Sequence, residues 1–183
     1  MRVIAGRLGG RRLEAPEGLE TRPTSDRVRE ALFSRLGHVQ GARVLDLYAG
    51  TGALGIEAIS RGAKRAVFVE SARAAVAVLR ANVEALGLAA DTQVFAQAIT
   101  RSLPYLAPLG PFDLVFLDPP YAALPEVPPI IAALFKAGAL SEAARVIVEH
   151  AKKDVAPPLP GLEEPDTRIY GTTAVSLYHR AEG

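Results

Sequence analysis

The chain has 183 residues (19.4 kDa), 49% hydrophobic and 22% charged, with a net charge of +1, the profile of a globular domain and not of a disordered chain. It holds no cysteine and only three histidines, His38, His150 and His179, without metal-ligand spacing. This excludes disulfides, iron–sulfur clusters, Cys-based zinc and thiol nucleophiles, and argues against a His-built metal centre.

The opening residues lack an apolar signal core, and no apolar run approaches the roughly 18 residues of a membrane span, so the expected compartment is the cytoplasm. The small net charge hides an asymmetry. Residues 1–43 carry nine Arg against five acids, and the remainder carries twelve basic against fifteen acidic residues. The first twelve residues contain Arg2, Arg7, Arg11 and Arg12 and no acid. Such an end reads either as the footprint of a polyanionic partner or as a solvated basic terminus.

In chain order, RVIA (2–5) and RRLE (11–14) flank the Gly-rich GRLGG, which predicts two short strands and a turn. Pro16 and Gly18 break the chain. Ser25 is placed to cap a helix over 26–36, with Val28, Ala31, Leu32 and Leu36 on one face and Arg27, Arg29 and Arg35 elsewhere. Residues 1–40 are thus expected to form a basic extension, and residues 41–183 the main domain.

From residue 43 strands and helices alternate. VLDLY (44–48), AVFVE (66–70), TQVFA (92–96), FDLVFLD (112–118) and RVIVEH (145–150) read as strands. Helices are expected from the Gly-rich turn to about residue 60, over 71–87 and over about 127–137. TRIYG and TTAVSLYHR (167–180) read as a closing hairpin around Gly171. The alternation implies an α/β fold, a doubly wound sheet with a parallel core.

Two motifs carry chemistry. The first is DLYAGTGALG (46–55), where Gly50, Gly52 and Gly55 follow a strand and open a helix. Glycine allows a tight turn and close backbone approach, and the helix start offers unpaired N–H groups. Glu70 ends the next strand, where a carboxylate can accept hydrogen bonds from ribose hydroxyls. The loop has no Lys, so it is not a P-loop. A dinucleotide and S-adenosylmethionine both fit. Asp46 suits a ligand with a cationic amino-acid end, unless it simply caps backbone groups.

The second motif is Asp118-Pro119-Pro120-Tyr121, at the end of the fourth strand. Reacting ligands gather at the carboxyl ends of such strands. Rigid prolines let the Asp118 side chain and the Pro119 carbonyl face one small donor. Two acceptors gripping an aromatic amine would favour a pyramidal nitrogen and aim its lone pair at a methyl group. Tyr121 can stack on the base. Catalysis of this kind is positioning and electrostatics.

The D-L-x-A-G-x-G loop with D-P-P-Y resembles the amino-methyltransferases among class I S-adenosylmethionine-dependent enzymes. RVIAGRLGGRRLEAP, TRPTSDRVREALFSRL, DLYAGTGALGIEAISRGA and FLDPPY together resemble one family, the enzymes that methylate N2 of guanine 966 in bacterial 16S ribosomal RNA. The resemblance runs from Arg2 to VSLYHR. It implies a Rossmann-like, mostly parallel seven-stranded twisted sheet with helices on both faces. It also implies S-adenosylmethionine as cofactor, S-adenosylhomocysteine as product and no metal. By it, Asp46, Ala49, Gly50, Thr51, Gly52, Glu70 and Ser71 would bind the cofactor, with Gln97 and Ala98 by the adenine. Asp118 to Tyr121 would hold the guanine amine. Arg2, Arg7, Arg11, Arg12, Arg22, Thr24, Arg27 and Arg29 would meet RNA or cover the active-site mouth, with Asp26 orienting Arg29. The expected partner is 16S RNA in the small subunit or an assembly intermediate, with no membrane and no obligate protein partner. The alternatives are another D-P-P-Y amino-methyltransferase acting, for example, on DNA adenine, a non-catalytic RNA-binding module, and a Rossmann dehydrogenase, which would leave D-P-P-Y idle.

Overall fold

The computed structural model describes residues 1–16 and 23–181, with side chains from residue 26 onward in the first helix. That helix, α1 (Pro23–Leu36), is followed by alternating elements: β1 (Arg43–Leu47), α2 (Ala53–Ser60), β2 (Arg65–Val69), α3 (Arg73–Ala85), β3 (Thr92–Phe95), α4 (Ile99–Leu106), β4 (Phe112–Leu117), α5 (Val127–Lys136), β5 (Leu140–Ala151), β6 (Asp166–Tyr170) and β7 (Thr173–His179). The strands form one seven-stranded sheet in the order β3-β2-β1-β4-β5-β7-β6. The first five in that order are parallel, and β7 runs antiparallel to both β5 and β6. This is the class I methyltransferase arrangement that the alternation and the closing hairpin predicted.

The strands are apolar because both faces are covered. On one face α1, α2, α3 and the N-terminal residues Val3, Leu8 and Leu13 share an apolar cluster with Val44, Phe68, Leu114 and Phe116. On the other, α4 and α5 pack Ile99, Leu106, Ile130 and Ile131 against Leu45, Val67 and Val115. Phe33 of α1 meets Phe116 of the central strand with ring centroids 5.8 Å apart.

Several elements differ from expectation for physical reasons. The N-terminal strands reduce to a single bridge between Arg2 and Arg12, within a hairpin held by Val3 N–H to the Arg11 carbonyl (2.9 Å) and Leu13 N–H to the Met1 carbonyl (2.9 Å). Helix α1 begins at Pro23, a residue suited to a first helical position, so Ser25 lies within the first turn and does not cap it. Helix α4 has no counterpart in the sequence reading: it is eight residues long and contains Pro104, which reads as a break. Strand β5 begins at Leu140, five residues before the expected start, because its pairing with β4 is irregular between Phe112 and Leu114. Among the described residues, no helix is long and apolar enough to cross a membrane.

Candidate active site

The parallel register sets the site. Leu47 of β1 pairs with Val69 of β2 and with Leu117 of β4, and Val69 pairs with Phe95 of β3. The segments leaving these strands at Tyr48, Glu70, Ala96 and Asp118 therefore emerge together along one edge of the sheet. The glycine loop, Glu70, Gln97 and the D-P-P-Y segment all sit on that edge, at the carboxyl ends of the strands.

The glycine loop is held from inside. Ala49 N–H donates to the Val69 carbonyl (3.1 Å), and Gly52 N–H donates to the Ala49 carbonyl (2.8 Å). Tyr48, Gly50 and Gly52 all take left-handed conformations, with φ of 58°, 55° and 81°. A Cβ on Gly50 would have nothing within 4 Å, whereas one on Gly52 would lie 2.2 Å from Leu79 Cδ1. Gly50 thus faces open space and Gly52 faces the core. The two glycines serve different ends: Gly50 leaves room on the cleft side, and Gly52 lets the loop pack down on α3.

Glu70 braces this loop. Its carboxylate accepts from Gly50 N–H and from Ala72 N–H, both at 2.8 Å. Asp46 is buried, and its carboxylate accepts from Gly55 N–H at 2.9 Å. This carboxylate caps backbone at the start of α2, the alternative left open by the sequence. Burial pushes the Asp46 carboxyl well above its usual range, Gly55 N–H pulls it back, and the negative charges of Asp118 and Glu70 push it further up.

A cleft of about 460 Å³ opens beside the loop, walled by Tyr48, Glu70, Ser71, Gln97, Ala98 and Glu126 among others. Its apolar floor includes Val69, Ile99, Leu103 and Ile130. This size suits a nucleoside. Gln97 Nε2 donates to Ser102 Oγ (3.3 Å), so its amide is tied to the first turns of α4. Ala98 stands immediately before α4. Thr51 lies on the other side of the loop, where its hydroxyl approaches Met1 Sδ (3.9 Å) and its carbonyl accepts from Asn82 Nδ2 (3.1 Å).

Two residues at this edge escaped the sequence reading. Tyr48 donates to Glu126 Oε2 (3.2 Å), joining the glycine loop to the segment after D-P-P-Y. Burial and the neighbouring Glu126 push the Tyr48 hydroxyl up to about 12. A bulky residue at positive φ is the structural mark of this joint, and sequence alone carries no such signal.

Asp118 and Tyr121 are exposed on the same edge, Pro119 is buried between them and Pro120 leads into a 3₁₀ turn over Tyr121–Glu126. Asp46, Glu70, Asp118 and Glu126 make this edge negative. Among the described residues, no group of three or more His, Asp or Glu side chains could hold a metal ion.

Arg2, Arg7, Arg11, Arg12 and Arg27 are exposed. Arg7 pairs with Asp91 (3.5 Å), and Arg11 donates to the Ala85 carbonyl (3.3 Å). Arg29 departs from expectation. It is 3% exposed, bonded to Asp26 (2.9 Å) and to the Arg2 carbonyl, with Nε 3.7 Å from Glu57. Burial lowers its affinity for a proton while Asp26 and Glu57 raise it. A guanidinium enclosed by these partners cannot reach a phosphate, so Arg29 holds the N-terminal segment and makes no RNA contact. Asp26 does orient it. Arg22 and the Thr24 side chain lie outside the described residues.

Similar proteins share this architecture. A family described as conserved hypothetical protein 95 matches residues 1–179. Ribosomal RNA small subunit methyltransferase D of Escherichia coli K12 is 36% identical over 185 residues, covering 98% of this chain and 90% of that protein. A solved chain from Escherichia coli superposes with a TM-score of 0.82 at 37% identity, covering 98% of this chain and 97% of the other. A solved hypothetical protein from Thermus thermophilus gives 0.77 at 33% identity, covering 97% and 98%. With the motifs, the strand order and the full-length match in agreement, the chain belongs to the conserved hypothetical protein 95 family, together with ribosomal RNA small subunit methyltransferase D.

Proposed function

We propose that this protein transfers a methyl group from S-adenosylmethionine to the exocyclic N2 amine of a guanine in 16S ribosomal RNA, the guanine at position 966. The observation that carries the reading is the alignment of two strand ends: β1 and β4 finish in register, so the glycine loop and D-P-P-Y open onto one edge. Ribosomal RNA small subunit methyltransferase D is the relative whose name points to the substrate.

The residues fit the cofactor. The cleft has room for an adenosine against Ile99 and Leu103, with Gln97 and Ala98 at its adenine end and Ser71 at its rim. Glu70 stands where ribose hydroxyls would lie, and the open face of Gly50 admits the methionine portion past Ala49 and Thr51. The negative edge formed by Asp46, Glu70 and Asp118 favours a cation. When bound, S-adenosylmethionine supplies an electrophilic methyl on a sulfonium, with S-adenosylhomocysteine as leaving group.

This chain's residues then position the amine. The Asp118 carboxylate and the Pro119 carbonyl accept the two amine hydrogens, which turns the nitrogen lone pair toward the methyl. Pro120 stiffens the turn, and Tyr121 stacks on the guanine plane. The N–C bond forms as the S–C bond breaks, and the nitrogen proton passes to Asp118 or water. Residues 1–40 form a cover over this edge, where Arg2, Arg7, Arg11, Arg12 and Arg27, with Arg22 and Thr24, meet RNA phosphates. The N2 amine of a paired guanine is buried in the minor groove, so the substrate is an unpaired or flipped base. A short basic segment reads little RNA on its own, so the substrate is presented by the small subunit or its assembly intermediate, in the cytoplasm.

Replacing Asp118 by Ala tests the reading. Loss of a preorganised acceptor is expected to cut turnover by at least about 100-fold while leaving S-adenosylhomocysteine affinity within a few-fold. Unchanged turnover would remove Asp118 from the mechanism.

A further inference from the structure

Helix α3 buries Val76, Leu79 and Val83, and its same face carries one polar residue, Asn82, at 2% exposure. A buried primary amide is costly unless its groups are paired. Here they are. Asn82 Oδ1 accepts from Glu14 N–H (2.8 Å), and Nδ2 donates to the Glu14 carbonyl and to the Thr51 carbonyl, both at 3.1 Å. One amide therefore grips the N-terminal segment by both backbone groups of a single residue and the glycine loop by a third bond. Its orientation follows from its partners, since one amide atom faces an N–H and the other faces two carbonyls.

The remaining tethers of the segment do not touch the loop. Glu57 accepts from Ile4 N–H (2.8 Å) and Ala5 N–H (3.1 Å). Ser60 Oγ accepts from Leu8 N–H (3.0 Å), and the Ser60 carbonyl accepts from Arg7 N–H (2.8 Å). Both residues lie on α2, below the loop. The segment they hold presents Arg2, Arg7, Arg11 and Arg12 to solvent.

We infer that Asn82 is a positioning residue that couples the basic N-terminal segment to the glycine loop, so that cofactor binding at the loop and ordering of the RNA-facing segment strengthen each other. The inference rests on the reading of that loop as the cofactor site. Its basis is shared ordering: a ligand that fixes Thr51 fixes Asn82, and an ordered Asn82 holds Glu14 at less entropic cost. Linkage makes the effect reciprocal, so RNA on the segment raises cofactor affinity by the same factor.

The test uses S-adenosylhomocysteine, binding calorimetry and amide hydrogen exchange on the full chain. In the wild type, saturating ligand slows exchange of the Glu14 amide by about 5-fold or more, the lower end of typical coupling. Ser60→Ala speeds basal exchange at Leu8 but keeps the ligand-induced slowing at Glu14. Asn82→Asp still binds the ligand, yet the slowing disappears, because a carboxylate cannot donate to the two carbonyls. Asn82→Ala serves the same comparison if Asn82→Asp does not fold. Wild-type binding with Glu14 exchange unchanged, or slowing that persists in the Asn82 variants, would overturn the coupling alone. Absence of any wild-type binding would instead overturn the cofactor reading, and the coupling with it.

Discussion

Gly50 and Gly52 are two residues apart and both left-handed, yet the structure predicts opposite consequences for an added methyl. At Gly52 the new Cβ would lie 2.2 Å from Leu79 Cδ1 and 3.3 Å from Ile56 Cδ1. Leu79 and Ile56 are fully buried, so neither has room to withdraw. Gly52→Ala therefore adds overpacking of about 1–3 kcal/mol to a left-handed backbone cost of about 1–2 kcal/mol, giving roughly 2–5 kcal/mol. For a chain of this length that is a Tm loss of about 4–20 °C. At Gly50 nothing lies within 4 Å, so Gly50→Ala carries only the backbone cost, a Tm loss of about 2–8 °C. Its methyl projects into the space assigned to the cofactor, so affinity falls while the fold stays largely intact. Thermal unfolding of both variants, paired with S-adenosylhomocysteine titration, separates the cases. Equal Tm losses, or a Gly52→Ala protein more stable than Gly50→Ala, would refute the packing argument. Gly50→Ala with wild-type affinity would refute the assignment of its open face.

Other outcomes follow from charge. Asp46 has its carboxyl pKa raised in the fold, chiefly by burial. A raised pKa means the favourable contribution is present below the unfolded value and lost as pH rises through the folded one. Asp46→Asn, which can still accept from Gly55 N–H, should therefore gain stability relative to wild type as pH climbs above the ordinary carboxylate range, in denaturant melts at several pH values. A constant difference across pH would mean that Asp46 does not titrate as described. Reversing the charge of two of Arg7, Arg11 and Arg12 should weaken RNA binding more at low salt than at high salt. Lost activity with unchanged RNA affinity would make the segment a lid and not a phosphate grip.

The sheet was legible because each parallel strand is a continuous apolar run between turn residues, and β4 shows this most plainly in FDLVFL. The site edge was legible for the same reason: the glycine loop, Glu70 and D-P-P-Y each stand at the end of such a run. Tertiary pairing was not legible. Arg29 reads as an exposed helix cation until Glu57 of α2 and the Arg2 carbonyl are brought to it. Asn82 carried a faint signal, a polar residue at the spacing of a buried face, but its partners Glu14 and Thr51 are joined to it only by the fold. Helix α4 was hidden by Pro104, since its formation depends on packing against α5 and not on local propensity.

The central claim is a methyl transfer to one guanine amine, and labelled S-adenosylmethionine tests it most directly. Purified protein would be incubated with naked 16S RNA and, separately, with small subunits lacking modifications, and the labelled nucleotide mapped. The account predicts label on N2 of the single guanine at position 966, with the assembled particle the better substrate. Label on another base, or none on either substrate from a protein that binds S-adenosylhomocysteine, would contradict it.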